Sequence, residues 1–421
     1  MDVIDRIVKG EPLGKAAIKT TVEGYLTGSI SKEDMTAFLR AVCAHGMSDR
    51  DATYLTEVML ESGKTLSFRR RQYPYADKHS TGGVADSTTL IIAPIVAAAG
   101  VPFLKMSGRK LGHTGGTIDK LESFYGLRTE LTIPEAESVV ERTGAAIIAQ
   151  TKDLVPADKA LYKLRDETDT VRSLPLIASS VVSKKLASGA DVLVLDVKAG
   201  NGAFMKTVEE GEALAKLMVH ILHSHGKKAA AVLSDMNSPL GDGVGGAMEL
   251  VDAVEVLEGK EGRLRDLALL IAGKLIALAK GVAPEEGQRE ALDILTSGKA
   301  LAKFREIITA QGGSLELLKQ ETRDRIFFAR EAGVVTAQKD GYVAHVDCVK
   351  LGFLARDQEN GGGYGMRVPF KVGSAVKAGD ALVRLYGKTP TDEAMLRALS
   401  DCFVISDTPV EPDPLVYRII E

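Results

Sequence analysis

The chain has 421 residues, 45% hydrophobic and 26% charged, which is enough apolar mass for about two to four domains, with no low-complexity block that would stay unfolded. A formal net charge of −4 argues against a nucleic-acid binder and makes any polyanion site a local one. Cys43, Cys348 and Cys402 form no CxxC pair, the amino terminus has no signal-peptide core, and no apolar run reaches the ~20 residues of a membrane span, so a reducing cytoplasm is expected.

From Val3 to Gly63 the pattern is helical. "SKED" (Ser31 to Asp34) and "SDRD" (Ser48 to Asp51) predict capped helix starts, and Gly46 and Gly63 predict stops. This unit has too little core to stand alone and is expected to pack on the rest of the chain or on a second subunit. "DKHSTGGVADSTTL" (Asp77 to Leu90) then reads as a loop rich in hydroxyl, glycine and cation. From Leu90 to about Ile271, "VPFLKM", "AAIIAQ", "DVLVLDVKAG" and "AAAVLSDM" read as buried strands separated by helical segments, the pattern of a parallel sheet with crossover helices. The fold class is therefore α/β with an all-helical N-terminal unit. Helices continue to about Gly313, and after Arg330 β-branched residues and glycine turns predict a C-terminal β-rich α+β domain, with a boundary near 325–335. "VGSAVKAGDALVRLYG" resembles the turn of a biotinyl or lipoyl carrier, but the context of Lys339, "AQKDGY", suits neither.

Phosphate binding needs short donors on flexible backbone, a helix N-terminus and a cation. Lys78, Ser80, Gly82, Gly83 and Thr89 supply that set in the first glycine-rich segment. Ser107, Gly108, Arg109, Gly115, Gly116 and Thr117 repeat it in "KMSGRKLGHTGGTIDKLES". Neither is a Walker A loop, and "GEPLGK" at Gly10 has the wrong spacing. Ser180 and Lys184, four apart, share a helix face, and with Arg165 they form a grip suited to a planar, carbonyl-rich ligand. His220, His223 and His225 offer a metal cluster but are better read as cations complementing a helix C-terminus.

These segments, with "LYKLRDETDTVRSLPLIASSVVSKKLASG" and "LVLDVKAGNGAFMK", resemble the signature blocks of the thymidine and pyrimidine-nucleoside phosphorylases in order and spacing over nearly the whole chain. The resemblance implies reversible phosphorolysis of a pyrimidine nucleoside in nucleoside salvage by a homodimer joined through its N-terminal helices. It implies phosphate on Lys78, Ser80, Thr89, Lys105, Met106, Ser107 and Thr117. It implies the base on Arg165, Ser180 and Lys184, with His79 as donor to a base carbonyl; His79, Arg165 and Lys184 are the catalytic candidates. No organic cofactor is implied. A potassium site through Ala85, Ser87, Leu240, Gly243 and Asp252 is, with Asp252 in place of the usual glutamate.

The implied domains are 1–65 plus about 156–190 (helical), 66–155 plus 191–330 (α/β) and 331–421 (C-terminal). Two departures touch the phosphate loops: Lys110 stands for a small residue, and Ala85 stands for a glycine and is expected to adopt a negative φ. Lys105 resembles the broader members that accept uridine, thymidine and deoxyuridine. A thymidine-selective enzyme and an anthranilate-type phosphoribosyltransferase are the competing readings.

Overall fold

A computed structural model describes residues 2–69, 71–109, 112–113, 115–150 and 154–421. Four helices come first: α1 (Asp2–Val8), α2 (Lys15–Thr27), α3 (Lys32–His45) and α4 (Asp49–Glu61). Ser31 and Ser48 cap α3 and α4, each side chain accepting the N–H of the aspartate three residues on. The α/β segment runs β1 (Ala76–Ser80), α5 (Thr88–Ala98), β2 (Phe103–Ser107), α6 (Thr117–Leu121), α7 (Ile133–Thr143), β3 (Ala145–Ala149), α8 (Pro156–Glu167), α9 (Leu174–Ala187) and β4 (Val192–Ala199). It continues through α10 (Val208–Ser224), β5 (Lys228–Asp235), β6 (Gly243–Val244), α11 (Gly246–Leu257), α12 (Arg263–Lys280), α13 (Pro284–Thr296), α14 (Lys299–Ala310) and the short α15 (Gln320–Arg323). Last come β7 (Glu331–Thr336), β8 (Gly341–Val346), α16 (Cys348–Asn360), β9 (Gly363–Arg367), β10 (Ala375–Val376), β11 (Ala381–Gly387), α17 (Glu393–Ser400), β12 (Phe403–Ser406) and β13 (Val416–Ile420).

The N-terminal helices do not fold as an island. Ile18, Phe38, Leu39 and Leu55 share one apolar cluster with Leu161 and Leu164 of α8, Leu176 of α9, and Leu104 and Ile148 of β2 and β3. The central sheet has the order β13-β5-β4-β1-β2-β3, parallel except for β13. Strands are added on one side of β1 as β2 and β3, and on the other as β4 and β5. This makes β1 the switch point, with a crevice beyond its carboxyl end.

Two findings correct the sequence reading. The segment expected to be a loop from Asp77 begins as strand: Asp77 to Ser80 are the end of β1, and Thr88 already belongs to α5. A fully buried strand normally reads as apolar, and β1 hides because its buried charges are paired. Asp77 takes the Lys185 ammonium at 2.7 Å, and Lys78 lies 3.5 Å from Asp196. Second, two strands cross the expected domain boundary. β13 returns to the central sheet against β5, while β6 joins β9, β11 and β7 in a C-terminal sheet.

Lys339 lies between β7 and β8, which sit in different sheets, so it is not at the tip of a carrier hairpin; its ammonium pairs with Asp407 at 2.6 Å. Among the described residues no helix is long and apolar enough to cross a membrane.

Candidate active site

β1 and β2 end side by side, which brings Lys78, His79 and Ser80 next to Lys105, Met106 and Ser107. Beyond these ends lies a cleft of about 470 Å³, and every residue expected to bind phosphate or base lines it, from Lys78 to Lys184. Thr89 enters from the first turn of α5 and Thr117 opens α6. Neither N-cap residue makes a side-chain cap, although in α5 the Thr88 N–H is taken by Asp86 at 3.2 Å. The turn after Ser80 requires glycine at Gly82, whose φ is 93°, and Gly83 lets the Met236 side chain pack closely, a Cβ there falling 2.4 Å from Met236 Cε.

Under the cleft lies a buried lattice of charge. Lys78 Nζ donates to Thr88 Oγ1 at 2.7 Å and lies 3.9 Å from Asp86. Asp86 in turn accepts the Ser80 hydroxyl at 2.6 Å and faces Lys198 at 3.8 Å. Lys198 pairs with Asp196 at 2.8 Å, Lys120 with Glu249 at 2.7 Å, and Lys105 lies 3.9 Å from the Asp77 that holds Lys185. Five ammonium groups thus meet four carboxylates (Asp77, Asp86, Asp196 and Glu249), a surplus of positive charge beside the cleft.

The burial has consequences for protonation. Burial alone would push the Asp86 carboxyl up, but Lys198, Lys78 and Lys120 hold it well below the usual carboxylate range. Burial, against the pull of Asp86 and Asp196, lowers Lys78, and burial followed by the neighbouring Lys185 lowers Lys105 further. An arriving anion would stabilise the charged form of both lysines.

Sequence reasoning missed Asp77, Asp86, Lys120, Lys185, Asp196, Lys198 and Glu249. A signal was present for Asp196 and Lys198, two charges inside the apolar run "DVLVLDVKAG", since charges are almost never fully buried unpaired. Arg109 plays a different part from the one expected. Its guanidinium grips Glu122 at 2.7 and 2.8 Å and Asp119 at 3.3 Å, bracing the second loop rather than standing free for an anion. Lys110 lies outside the described residues.

The other wall of the cleft belongs to the helical unit. Arg165, only 2% exposed, donates to the carbonyls of Thr170 (3.3 Å), Leu176 (3.1 Å) and Val171 (2.8 Å). Among the described residues no carboxylate pairs with it within 4 Å, and burial lowers its pKa. Lys184 Nζ sits 2.7 Å from Asp158 and 3.3 Å from Ser180 Oγ, one helical turn back as the spacing predicted. Arg165 and Lys184 both face the Tyr162 ring, at 5.8 and 5.6 Å from its centre. Tyr162 and Asp158 were not anticipated. His79 is held well below the ordinary histidine range, first by burial and then by Lys185, Lys105, Lys78 and Lys184. Its imidazole is therefore neutral at neutral pH and suited to donating a hydrogen bond rather than a proton.

The expected potassium ligands converge but do not fit a monovalent cation. Asp252 Oδ1 accepts Lys260 Nζ at 2.6 Å, and Oδ2 accepts the N–H groups of Asp242 and Gly243 at 2.7 and 3.2 Å. The Ala85 carbonyl already accepts the Gly241 N–H at 3.1 Å. The Ser87 hydroxyl is buried without a partner, but Asp252, the one anionic ligand expected, already has its charge met by Lys260. Ala85 itself has a φ of 58°, against the expected negative value; the turn demands the left-handed region, which costs a non-glycine residue about 1–2 kcal/mol. Among the described residues His220, His223 and His225 form no metal cluster; His223 and His225 bond the carbonyls of Ala229 and Ile221.

The description "Glycosyl transferase family, helical bundle domain" matches residues 1–63, and "Glycosyl transferase family, a/b domain" matches residues 72–301. The pyrimidine-nucleoside phosphorylase of Bacillus subtilis strain 168 is 41% identical over 100% of both chains. That of Geobacillus stearothermophilus is 39% identical over 99% of this chain and 98% of its own. The chain belongs to the pyrimidine-nucleoside phosphorylase family. A third member of this phosphorylase family, from Staphylococcus haemolyticus, is 39% identical over 100% of this chain and 99% of its own. The crystal structure of anthranilate phosphoribosyltransferase from Thermus thermophilus superposes with a TM-score of 0.60 at 21% identity, covering 74% of this chain and 99% of its own. That likeness is one of fold alone. Every residue lining the cleft falls within 72–301, and the 1–63 match packs against α8 and α9.

Proposed function

We propose that this enzyme catalyses the reversible phosphorolysis of uridine, thymidine and deoxyuridine to the free base and ribose or deoxyribose 1-phosphate, in nucleoside salvage in the cytoplasm. The observation that carries this reading is the pairing, across one cleft, of a cation-rich glycine-turn wall with a buried guanidinium that no described carboxylate neutralises. Phosphate is held by Ser80, Thr89, Ser107 and Thr117 over the ammonium of Lys78, where lattice charge and helix N-termini favour an anion. The base lies against Arg165, Ser180 and Lys184.

As the glycosidic bond loosens, the anomeric carbon gains positive charge and the base gains negative charge, the electronic pattern of glycoside cleavage. Phosphate oxygen attacks that carbon, and the electron pair of the C–N bond leaves on the base. Arg165 strengthens its bonds as this charge grows. Neutral His79 donates a hydrogen bond to a base carbonyl, and Asp158 holds Lys184 against Ser180. Lys105, which lines the cleft, matches the residue of the broader members and supports broad nucleoside acceptance. The enzyme acts as a homodimer through its N-terminal helices, and closure of the two walls excludes water.

Turnover of the three nucleosides with and without inorganic phosphate tests the reading. Phosphate-dependent release of base from all three is expected. Release from thymidine alone would make the enzyme thymidine-selective. Absence of release from any, or release requiring magnesium and a diphosphate-bearing sugar, would overturn the proposal.

A further inference from the structure

A second charge cluster lies behind the first glycine turn, and none of its charged residues lines the cleft. Lys260 Nζ sits 2.6 Å from Asp252, 2.7 Å from Asp242 and 3.3 Å from Glu255. Lys371 Nζ donates to the carbonyls of Gly241 and Val368 at 2.6 and 2.7 Å and lies 3.3 Å from Asp242, while Arg367 pairs with Glu255. Three cations (Lys260, Lys371 and Arg367) therefore balance three carboxylates (Asp242, Asp252 and Glu255), and the cluster has no deficit for a metal ion to fill.

The cluster also reaches the phosphate turn. Asp252 gathers the N–H groups of Asp242 and Gly243, and the chain just before them is stitched to the turn by Leu240 N–H to Val84 O and Gly241 N–H to Ala85 O, both at 3.1 Å. A Cβ on Gly241 would fall 2.2 Å from Asp252 Oδ2 and 3.3 Å from the Ala85 carbonyl, so carboxylate and carbonyl converge on one spot. Ala85 is the left-handed residue immediately before Asp86, the carboxylate that holds Ser80.

We infer that the ammonium of Lys260 performs the task a bound monovalent cation would perform here, fixing Asp252 behind the Ala85 turn and making that turn independent of potassium. An ammonium and a potassium ion are cations of similar size, and each is satisfied by a ring of oxygens. The difference is that Lys260 is tethered, one helix C-terminus away from Asp252 on α11 and its following turn. Lys371 adds a second tether from the C-terminal domain to the Gly241 carbonyl. Lys260 is a positioning residue, since its contacts are to Asp252 and its neighbours and not to the cleft.

The test uses the full-length enzyme exchanged into choline buffer, with potassium chloride titrated against choline chloride at constant ionic strength. Melting temperature and bound potassium are read, so the outcome does not depend on the proposed reaction. The wild type should hold far less than one potassium per chain and show no change in Tm. Lys260→Met should lose several degrees of Tm and recover part of that loss saturably with potassium or ammonium ion. If the enzyme is a phosphorylase, its KM for phosphate should rise several-fold in the same variant. About one potassium per wild-type chain, or a saturable potassium-specific rise in wild-type Tm, overturns the inference even if the variant fails to fold. An unchanged Tm in Lys260→Met, or a loss that neither ion repairs, also overturns it.

Discussion

Arg165 serves the fold and the site with the same atoms. Its three bonds to the carbonyls of Thr170, Val171 and Leu176 shape the turn between α8 and α9, and the absence of a described carboxylate partner leaves its charge for a ligand. Removing one contact that stabilises developing charge in a dry site costs about 3–4 kcal/mol of barrier. Arg165→Ala should therefore lower turnover roughly a hundredfold or more, and should also lower Tm because three carbonyls lose their donor; near-normal turnover would refute the role.

For His79 the prediction concerns pH. Its folded pKa lies below the unfolded value of ~6.5, so the unfolded chain is the better proton binder and stability is lost as pH falls below ~6.5. The Tm drop on acidification should shrink in His79→Asn, and an equal drop would contradict the shift. A neutral donor further predicts no fall in turnover as pH rises through ~6.5, whereas a proton-donating imidazolium predicts one. At this scale the contact residues were legible, because hydroxyls, glycines and cations clustered at strand ends advertise anion chemistry. Asp86, Lys120 and Lys185 were not, because what makes them part of the site is burial beside charges distant in sequence.

At the scale of elements, the positions that hold loops are more informative than the loops' own residues. The strands "DVLVLDVKAG" and "AAAVLSDM" were readable from apolar runs, while β1 was not, since its two central charges are buried in pairs with α9 and β4. Likewise the glycine that Ala85 replaces was the one signal of a left-handed backbone, which the alanine keeps while its carbonyl accepts the Gly241 N–H. Ala85→Gly should leave stability unchanged or raise it by up to ~1 kcal/mol, as relief of the left-handed cost offsets the greater freedom of the unfolded chain. Chemical denaturation would check this, and a loss above ~1 kcal/mol would place the strain elsewhere.

A parallel case links α16 to the second glycine turn. Arg356 donates to the Gly112 carbonyl at 3.2 Å, and a Cβ on Gly352 would lie 2.3 Å from the His113 carbonyl oxygen. His113 in turn sits 2.8 Å from the Gly202 carbonyl, which ties the turn to the end of β4. Gly352→Ala must push backbone against backbone and should cost ~1–3 kcal/mol of stability. Because the displaced turn precedes Thr117, KM for phosphate should rise more than turnover falls. Unchanged KM would show that the turn tolerates the shift.

Across the whole molecule, the succession of helical, α/β and β-rich texture could be read from changes in periodicity, while the apolar clusters run across those parts. Periodicity did not reveal that β13 and β6 trade places across the boundary, since strands of five and two residues carry too little pattern. The exchange matters for function: it fastens the C-terminal domain to the sheet that carries the first wall of the cleft. The second wall, on α8 and α9, packs on the N-terminal helices. That wall also shares its apolar cluster with β2 and β3, and Lys185 of α9 pairs with Asp77 of β1, so the two walls are joined beneath the cleft.

The arrangement is tested most directly by a crystal structure with phosphate and uracil bound together. The account predicts tetrahedral density within hydrogen-bond distance of Ser80, Ser107 and Thr117, with the uracil ring against Arg165, Ser180 and Lys184 on the facing wall. Phosphate bound elsewhere, or a uracil that never meets Arg165, would contradict it.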